Sequence, residues 1–192
     1  VYKFIHTMKI LKLFLLIFIS ISFPVKADLD NKLEKQLKKG GNLIFIRHAY
    51  APGGGDPENF IISDCSTQRN LNEDGKNQSK RIGQFFIEND ILIDKVLSSE
   101  WCRCKDTAQI AFTNFETKNF LNSFFSAQFA SNKNQQIRDL KKYIKNWQSD
   151  KNLVLVTHYV LISEILNYTS SSGEIIISDK NFKVIDSFKI EY

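Results

Sequence analysis

Two apolar runs end in histidine, and those two residues are the first candidates for chemistry. Leu43-Ile44-Phe45-Ile46 stops at Arg47 and His48, and Leu153-Val154-Leu155-Val156-Thr157 stops at His158. Short apolar runs bounded by turn residues, here Gly40 and Gly41, read as buried strands of a parallel sheet. The carboxyl ends of such strands are where open α/β sheets hold their ligands. Only five of the 26 basic residues are arginine, and two of these are Arg47 and Arg103. Arginine at such places in a lysine-rich chain points to a planar fork that grips phosphate or carboxylate. Ser98-Ser99 before Arg103, and Thr107-Ala108 after it, complete a strand-loop-helix unit whose helix N-terminus also favours an anion. Two arginines, two histidines and a helix N-terminus fit a phosphoryl group, with one imidazole free to attack it. Neighbouring cations disfavour the imidazolium and stabilise charge on the equatorial oxygens during transfer.

The elements that must position these residues follow from periodicity. Leu29, Leu33 and Leu37 predict a short amphipathic helix ended by Gly40-Gly41. After the first histidine comes a long loop, Tyr50 to Asn70, rich in Gly, Pro, Asp and Asn. Asn72 is placed to cap a helix running to Glu88, with Ile82, Phe85 and Phe86 inward. A strand over 95–98, a helix over 101–112, a short strand near Phe115 and a helix carrying Ile137, Leu140, Ile144 and Trp147 come next. A helix over 160–166 follows His158, and strands over 174–178 and 182–190 close the chain around Asp179-Lys180-Asn181. Strands alternating with helices imply a three-layer α/β domain. The aromatic residues Phe120, Phe124, Phe125 and Phe129 are assigned to the core.

At 192 residues the chain fits one domain with a proper core. The formal charge of +5 misleads: residues 1–27 carry four lysines and no acid, leaving 22 basic against 21 acidic residues. That balance gives no electrostatic reason to expect nucleic acid as a partner. Residues 1–27 read as an upstream extension plus a signal peptide. Met8 is the expected start, Lys9 and Lys12 the positive region, Leu13 to Val25 the apolar run, and Ala27 the cleavage site. The run is shorter than the roughly 20 residues of a membrane-spanning helix, and an uncleaved anchor is the alternative. The mature protein is therefore expected to be exported, periplasmic or secreted, touching a membrane only through an uncleaved signal. Export gives meaning to Cys65, Cys102 and Cys104, since thiols pair in oxidising compartments. One disulfide with one thiol left over is expected over a metal site, which Arg103 would oppose.

Four motifs carry a family resemblance. Arg47-His48-Ala49 resembles the Arg-His-Gly signature of the histidine phosphatase (phosphoglycerate-mutase-like) superfamily. Leu71-Asn72-Glu73-Asp74-Gly75-Lys76-Asn77-Gln78 resembles its Leu-Thr-x-x-Gly-x-x-Gln helix start. Ser98-Ser99, Arg103 and Thr107-Ala108 match its second-arginine motif in spacing, and Thr157-His158 resembles its second histidine. The motifs fall in the family's order within residues 43–160.

The resemblance implies a three-layer α/β/α sandwich with a mostly parallel central sheet, phosphoglycerate-mutase-like, over residues 28–192. It implies a phosphomonoesterase without cofactor or metal, with His48 as the phosphorylated nucleophile and Arg47, Arg103 and His158 binding the phosphoryl group. A catalytically impaired phosphate-binding protein and a phosphosugar-acid mutase are the alternatives. The expected partner is a small phosphorylated substrate or a phosphorylated envelope component. Many relatives place a glutamate proton donor where this chain has Leu121-Asn122-Ser123, so Asp56, Asp64 and Glu174 are the candidates. Arg69 is open between a salt bridge and a substrate contact. With Arg103 in the pocket by resemblance, Cys65 is expected to bond Cys102 or Cys104 and pin the long loop beside it. Cys102 is preferred, since the position after the motif arginine is usually a small inward residue.

Overall fold

The computed structural model describes residues 31–192. The expected signal, Leu29 and the cleavage site at Ala27 lie outside the described residues. The elements run α1 (Asn31–Lys39), β1 (Leu43–Arg47), α2 (Glu73–Glu88), β2 (Ile93–Ser98), α3 (Cys102–Phe112), β3 (Glu116–Thr117), α4 (Lys133–Asn146), β4 (Asn152–Thr157), α5 (Tyr159–Leu166), β5 (Glu174–Ser178) and β6 (Val184–Lys189). Six strands form one sheet in the order β3-β2-β4-β1-β5-β6. β3, β2, β4 and β1 are parallel to one another, while β5 and β6 are added antiparallel.

Helices cover both faces, which is why β1 and β4 are apolar at almost every position. Alternate side chains of each strand enter opposite cores. Ile44, Ile46, Val154 and Val156 pack with Leu37 of α1, Ile82, Phe85 and Phe86 of α2, and Ala108 of α3. Leu43, Phe45, Leu153 and Leu155 pack with Leu140 and Ile144 of α4 and Leu161 and Ile162 of α5. This is the three-layer sandwich that the alternating pattern predicts.

The register gathers the site. Arg47 pairs with Thr157 and Ser98 with Val156, so β1, β4 and β2 end level. The ladder runs on past the strands, His48 N donating to Thr157 O at 2.9 Å and Ser99 N to Val156 O at 2.9 Å. His48, His158 and the start of α3 therefore meet at one edge of the sheet.

The second motif explains how α2 docks there. Asn72 caps the helix, its Oδ1 accepting from Gly75 N at 3.0 Å. A side chain at position 75 would put its Cβ 1.9 Å from Tyr50 O, so only glycine lets the helix meet the chain leaving His48. Gln78 then ties three segments: its Oε1 accepts from Tyr50 N at 2.8 Å, and its Nε2 donates to Ser172 O and Ile190 O.

The departures from expectation are local. β6 begins at Val184 rather than 182, because the Asp179 carboxylate collects the backbone N–H groups of both Asn181 and Lys183 and holds Phe182 at a positive φ. In α4 the inward stripe is Gln136, Leu140 and Ile144, with Ile137 only half-buried. Gln136 is tolerated inside because it donates to the carbonyls of Asn119 and Asn122.

Candidate active site

His48 is buried, and its Nδ1 lies 2.8 Å from Ala49 O. A carbonyl only accepts, so Nδ1 carries the ring proton and Nε2 holds the free lone pair. Arg103 donates its Nε–H to that lone pair at 3.2 Å. Burial first, and the Arg103 charge second, hold the imidazole well below its usual titration range. His48 is thus a neutral base with its reactive nitrogen fixed beside a cation.

His158 is built in the complementary way. The Ser99 hydroxyl donates to Asn122 Oδ1 at 3.0 Å, which leaves its oxygen to accept from His158 Nε2–H at 2.9 Å. The lone pair of His158 Nδ1 then faces Arg103 Nη2 at 3.5 Å. Burial and the Arg103 guanidinium keep this imidazole neutral too. The two rings stand edge to face, with centroids 5.5 Å apart.

Arg103, only 4% exposed, sits between both histidines and Asp56. Its Nη1 donates to Asp56 Oδ1 at 2.7 Å and its Nη2 to Asp56 Oδ2 at 3.2 Å, a two-point ion pair. The Asp56 carboxylate also accepts from Arg69 N and from Trp101 Nε1, each at 3.1 Å. Burial pushes the Asp56 carboxyl up, but these donors outweigh it and the net shift is below the usual carboxylate value. Asp56 is ionised and committed.

The loop carrying Asp56 is tied down covalently. Cys65 bonds Cys102, the residue before Arg103, while Cys104 is free and buried, its Sγ 3.5 Å from His158 Nε2. Gln68 adds a polar tie by accepting from Cys102 N at 2.9 Å. Of the two pairings expected for Cys65, the one with Cys102 is observed.

A cavity of about 570 Å³ opens over this floor, lined by Arg47, His48, Asp56, Arg69, Arg103 and His158 among others. Arg47 donates from Nη1 to Ser170 O at 2.6 Å, lies over the Tyr159 ring at 5.5 Å, and keeps a buried Nε without a partner among the described residues. Arg69 braces the loop by donating to Ala51 O and to Gly55 O. It lines the cleft, and among the described residues it makes no side-chain ion pair of the kind that sequence left open.

Two expectations about site residues need correction. Asp64 is exposed and caps the turn Cys65–Thr67 by accepting from Ser66, and Glu174 is held by Tyr168 and Ser171 N; neither lines the cleft. Their local donors, backbone N–H and hydroxyl groups, account for both carboxylates. Asp56 alone of the three candidates lies in the cleft; the run Gly53-Gly54-Gly55 before it is the sequence signal that sets it apart. The aromatic stretch also divides: Phe120 is core, whereas Phe125 and Phe129 line the cleft with Phe60, Trp101 and Tyr159. Sequence reasoning gave no role to Trp101, Glu58 or Tyr159, and placed Ser99 in the second-arginine motif without a contact of its own. The place of Trp101 beside the motif arginine was the available hint.

Sheet order, strand-end histidines and motif order together define an α/β domain with the histidine phosphatase fold. The chain is 31% identical over 88 residues to the mitochondrial serine/threonine-protein phosphatase Pgam5 of Drosophila grimshawi. That stretch is 45% of this chain and 28% of the relative, so the chain spans well under two thirds of the relative's length. Among solved structures, the protein histidine phosphatase SixA complexed with tungstate superposes with a TM-score of 0.53 at 15% identity, over 77% of this chain and 96% of that one. SixA of Agrobacterium tumefaciens gives 0.53 at 18% identity, over 77% and 97%. No family model matches the sequence. The resemblance drawn from the motifs holds in both sequence and fold.

Proposed function

We propose that the chain is an exported phosphatase that hydrolyses a phosphomonoester through a covalent phosphohistidine at His48. The observation that carries this reading is the pairing of the neutral His48 Nε2 lone pair with the Arg103 Nε–H on the floor of a cation-lined cleft. A phosphoryl group entering there replaces Arg103 as the partner of that lone pair. Arg103, Arg47 and Arg69 then surround the transferring oxygens, and His158 supplies the second imidazole. Neutral His48 attacks phosphorus as the ester oxygen leaves, and water afterwards displaces the histidine. The positive charge comes from guanidinium groups, so the reaction needs no metal.

Export is supported by the lysine-flanked apolar run before residue 28 and by the Cys65–Cys102 bond. A small phosphorylated molecule or a phosphorylated envelope component is the substrate this location would supply. Amino-terminal sequencing of the protein from an exported fraction should begin at Asp28; a protein retained in the cytoplasm would contradict export.

The phosphate-binding reading without turnover draws on the Asp56–Arg103 ion pair, which already occupies the fork. Hydrolysis of a generic aryl phosphate by the purified protein, lost in His48→Ala, separates the two. Tight phosphate binding with no turnover would favour the second.

A further inference from the structure

The walls above the phosphoryl floor are aromatic, and among the described residues the floor holds no free acid. Phe60, Trp101 and Phe129 form one aromatic group, with Trp101 stacked on Phe60 at 5.0 Å and edge to face with Phe129 at 5.3 Å between ring centroids. Trp101 in turn meets the His158 ring at 5.4 Å, so the group reaches the floor. A second pair stands beside Arg47: Tyr159, 37% exposed, and Phe125, 61% exposed, with centroids 5.9 Å apart. A phenylalanine that open, on the wall of the cleft rather than in the core, leaves a ring face for a ligand.

The carboxylates point the same way. Asp56 is spent on Arg103, Asp64 on its turn, Glu174 on Tyr168 and Ser171, and Glu100 on Asn122. Among the described residues, only Glu58 lines the cleft outside such a network, and it is exposed. An alkyl ester whose alcohol is about as weak an acid as water, pKa ~15.7, needs a placed proton donor to leave. A phenol, which in tyrosine titrates near about 10, leaves as its anion without one.

We propose, building on the phosphatase reading, that this cleft selects aryl phosphomonoesters, with the aromatic leaving group lying against Phe125 and Tyr159. In the first step the His48 Nε2–phosphorus bond forms as the phosphorus–oxygen bond to the ring breaks. The bonding pair leaves on the phenolate oxygen, which takes a proton from solvent. Water then bonds to phosphorus, the nitrogen–phosphorus pair returns to Nε2, and the water's proton passes to solvent. The phenol and orthophosphate are the products.

Two arms test this on the whole protein. The first compares kcat/KM for phenyl phosphate, phosphotyrosine and a phosphotyrosyl peptide with glycerol 3-phosphate and glucose 6-phosphate. The aryl esters should lead by at least about tenfold. The peptide against the free amino acid tells whether the ring comes on a protein or as a small molecule. The second arm removes intrinsic reactivity by measuring binding of phenylphosphonate and ethylphosphonate calorimetrically. Phenylphosphonate should bind about tenfold tighter, as one good ring contact allows, and Phe125→Ala should erase the difference while Phe125→Tyr retains it. Equal affinities, equal loss of both phosphonates in Phe125→Ala, or alkyl esters turned over as well as aryl esters would overturn the proposal alone. Failure of both phosphonates and of orthophosphate to bind would instead overturn the phosphatase reading, and this proposal with it.

Discussion

At the scale of single residues, the site is a set of decisions about where protons sit. Ala49 O fixes His48 with its lone pair on Nε2, and Ser99 fixes His158 with its lone pair on Nδ1, both facing one guanidinium. Because both imidazoles titrate well below 6.5, they stay neutral in mildly acidic solution while an unfolded chain would take up protons. Their contribution to stability is complete above about 6.5 and is lost as pH falls below it, by up to about 1.4 kcal/mol per pH unit for each imidazole. Chemical denaturation between pH 7.5 and 5 should show that slope, and a flat profile would contradict it. The same neutrality predicts that kcat/KM, corrected for the substrate's own ionisation near about 6, has no acid limb at the ordinary histidine value. Arg103→Lys should lower kcat/KM by about a hundredfold or more, because an ammonium cannot serve Asp56 and both histidines at once. Unchanged kinetics would remove Arg103 from the reaction. Cys104, its thiol pushed up to about 12 by burial, should resist alkylation in the native protein.

At the scale of elements, sequence revealed what periodicity and spacing encode. The buried strands read as unbroken apolar runs, and Asn72, Gly75 and Gln78 announced a helix that must dock against the chain leaving His48. The long loop was legible as a loop, and its Cys65 tie to Cys102 was expected from the resemblance, but the rest of its path was not, because Asp56 to Arg103 and Gln68 to Cys102 N are non-local contacts. The bridge encloses a separation of 37 residues and should contribute about 4 kcal/mol under the chain-entropy model. Reduction or Cys65→Ser should therefore lower the melting temperature and cut kcat/KM, since the freed loop carries Asp56 and Arg69. If the reduced protein matched the oxidised one in both, the tether would be idle. Phe125 escaped the sequence reading for a related reason: one aromatic stretch supplies both core and cleft, and composition cannot divide it.

At the scale of the molecule, three parallel strands ending level and covered on both faces bring residues from positions 47 to 158 to one edge. The cleft they form is charged by arginine, and among the described residues no group of three or more His, Cys, Asp or Glu side chains is placed to hold a metal ion. Activity should accordingly survive EDTA; loss on chelation with recovery on adding a divalent cation would refute the metal-free reaction. The central claim is that the phosphoryl group passes through His48. Rapid acid-free quenching during turnover of an isotopically labelled aryl phosphate, followed by peptide mapping, tests it most directly. The account predicts a label that is stable in alkali, labile in acid and located on His48, and none in His48→Ala. Steady turnover in that variant, or a label on any other residue, would contradict it.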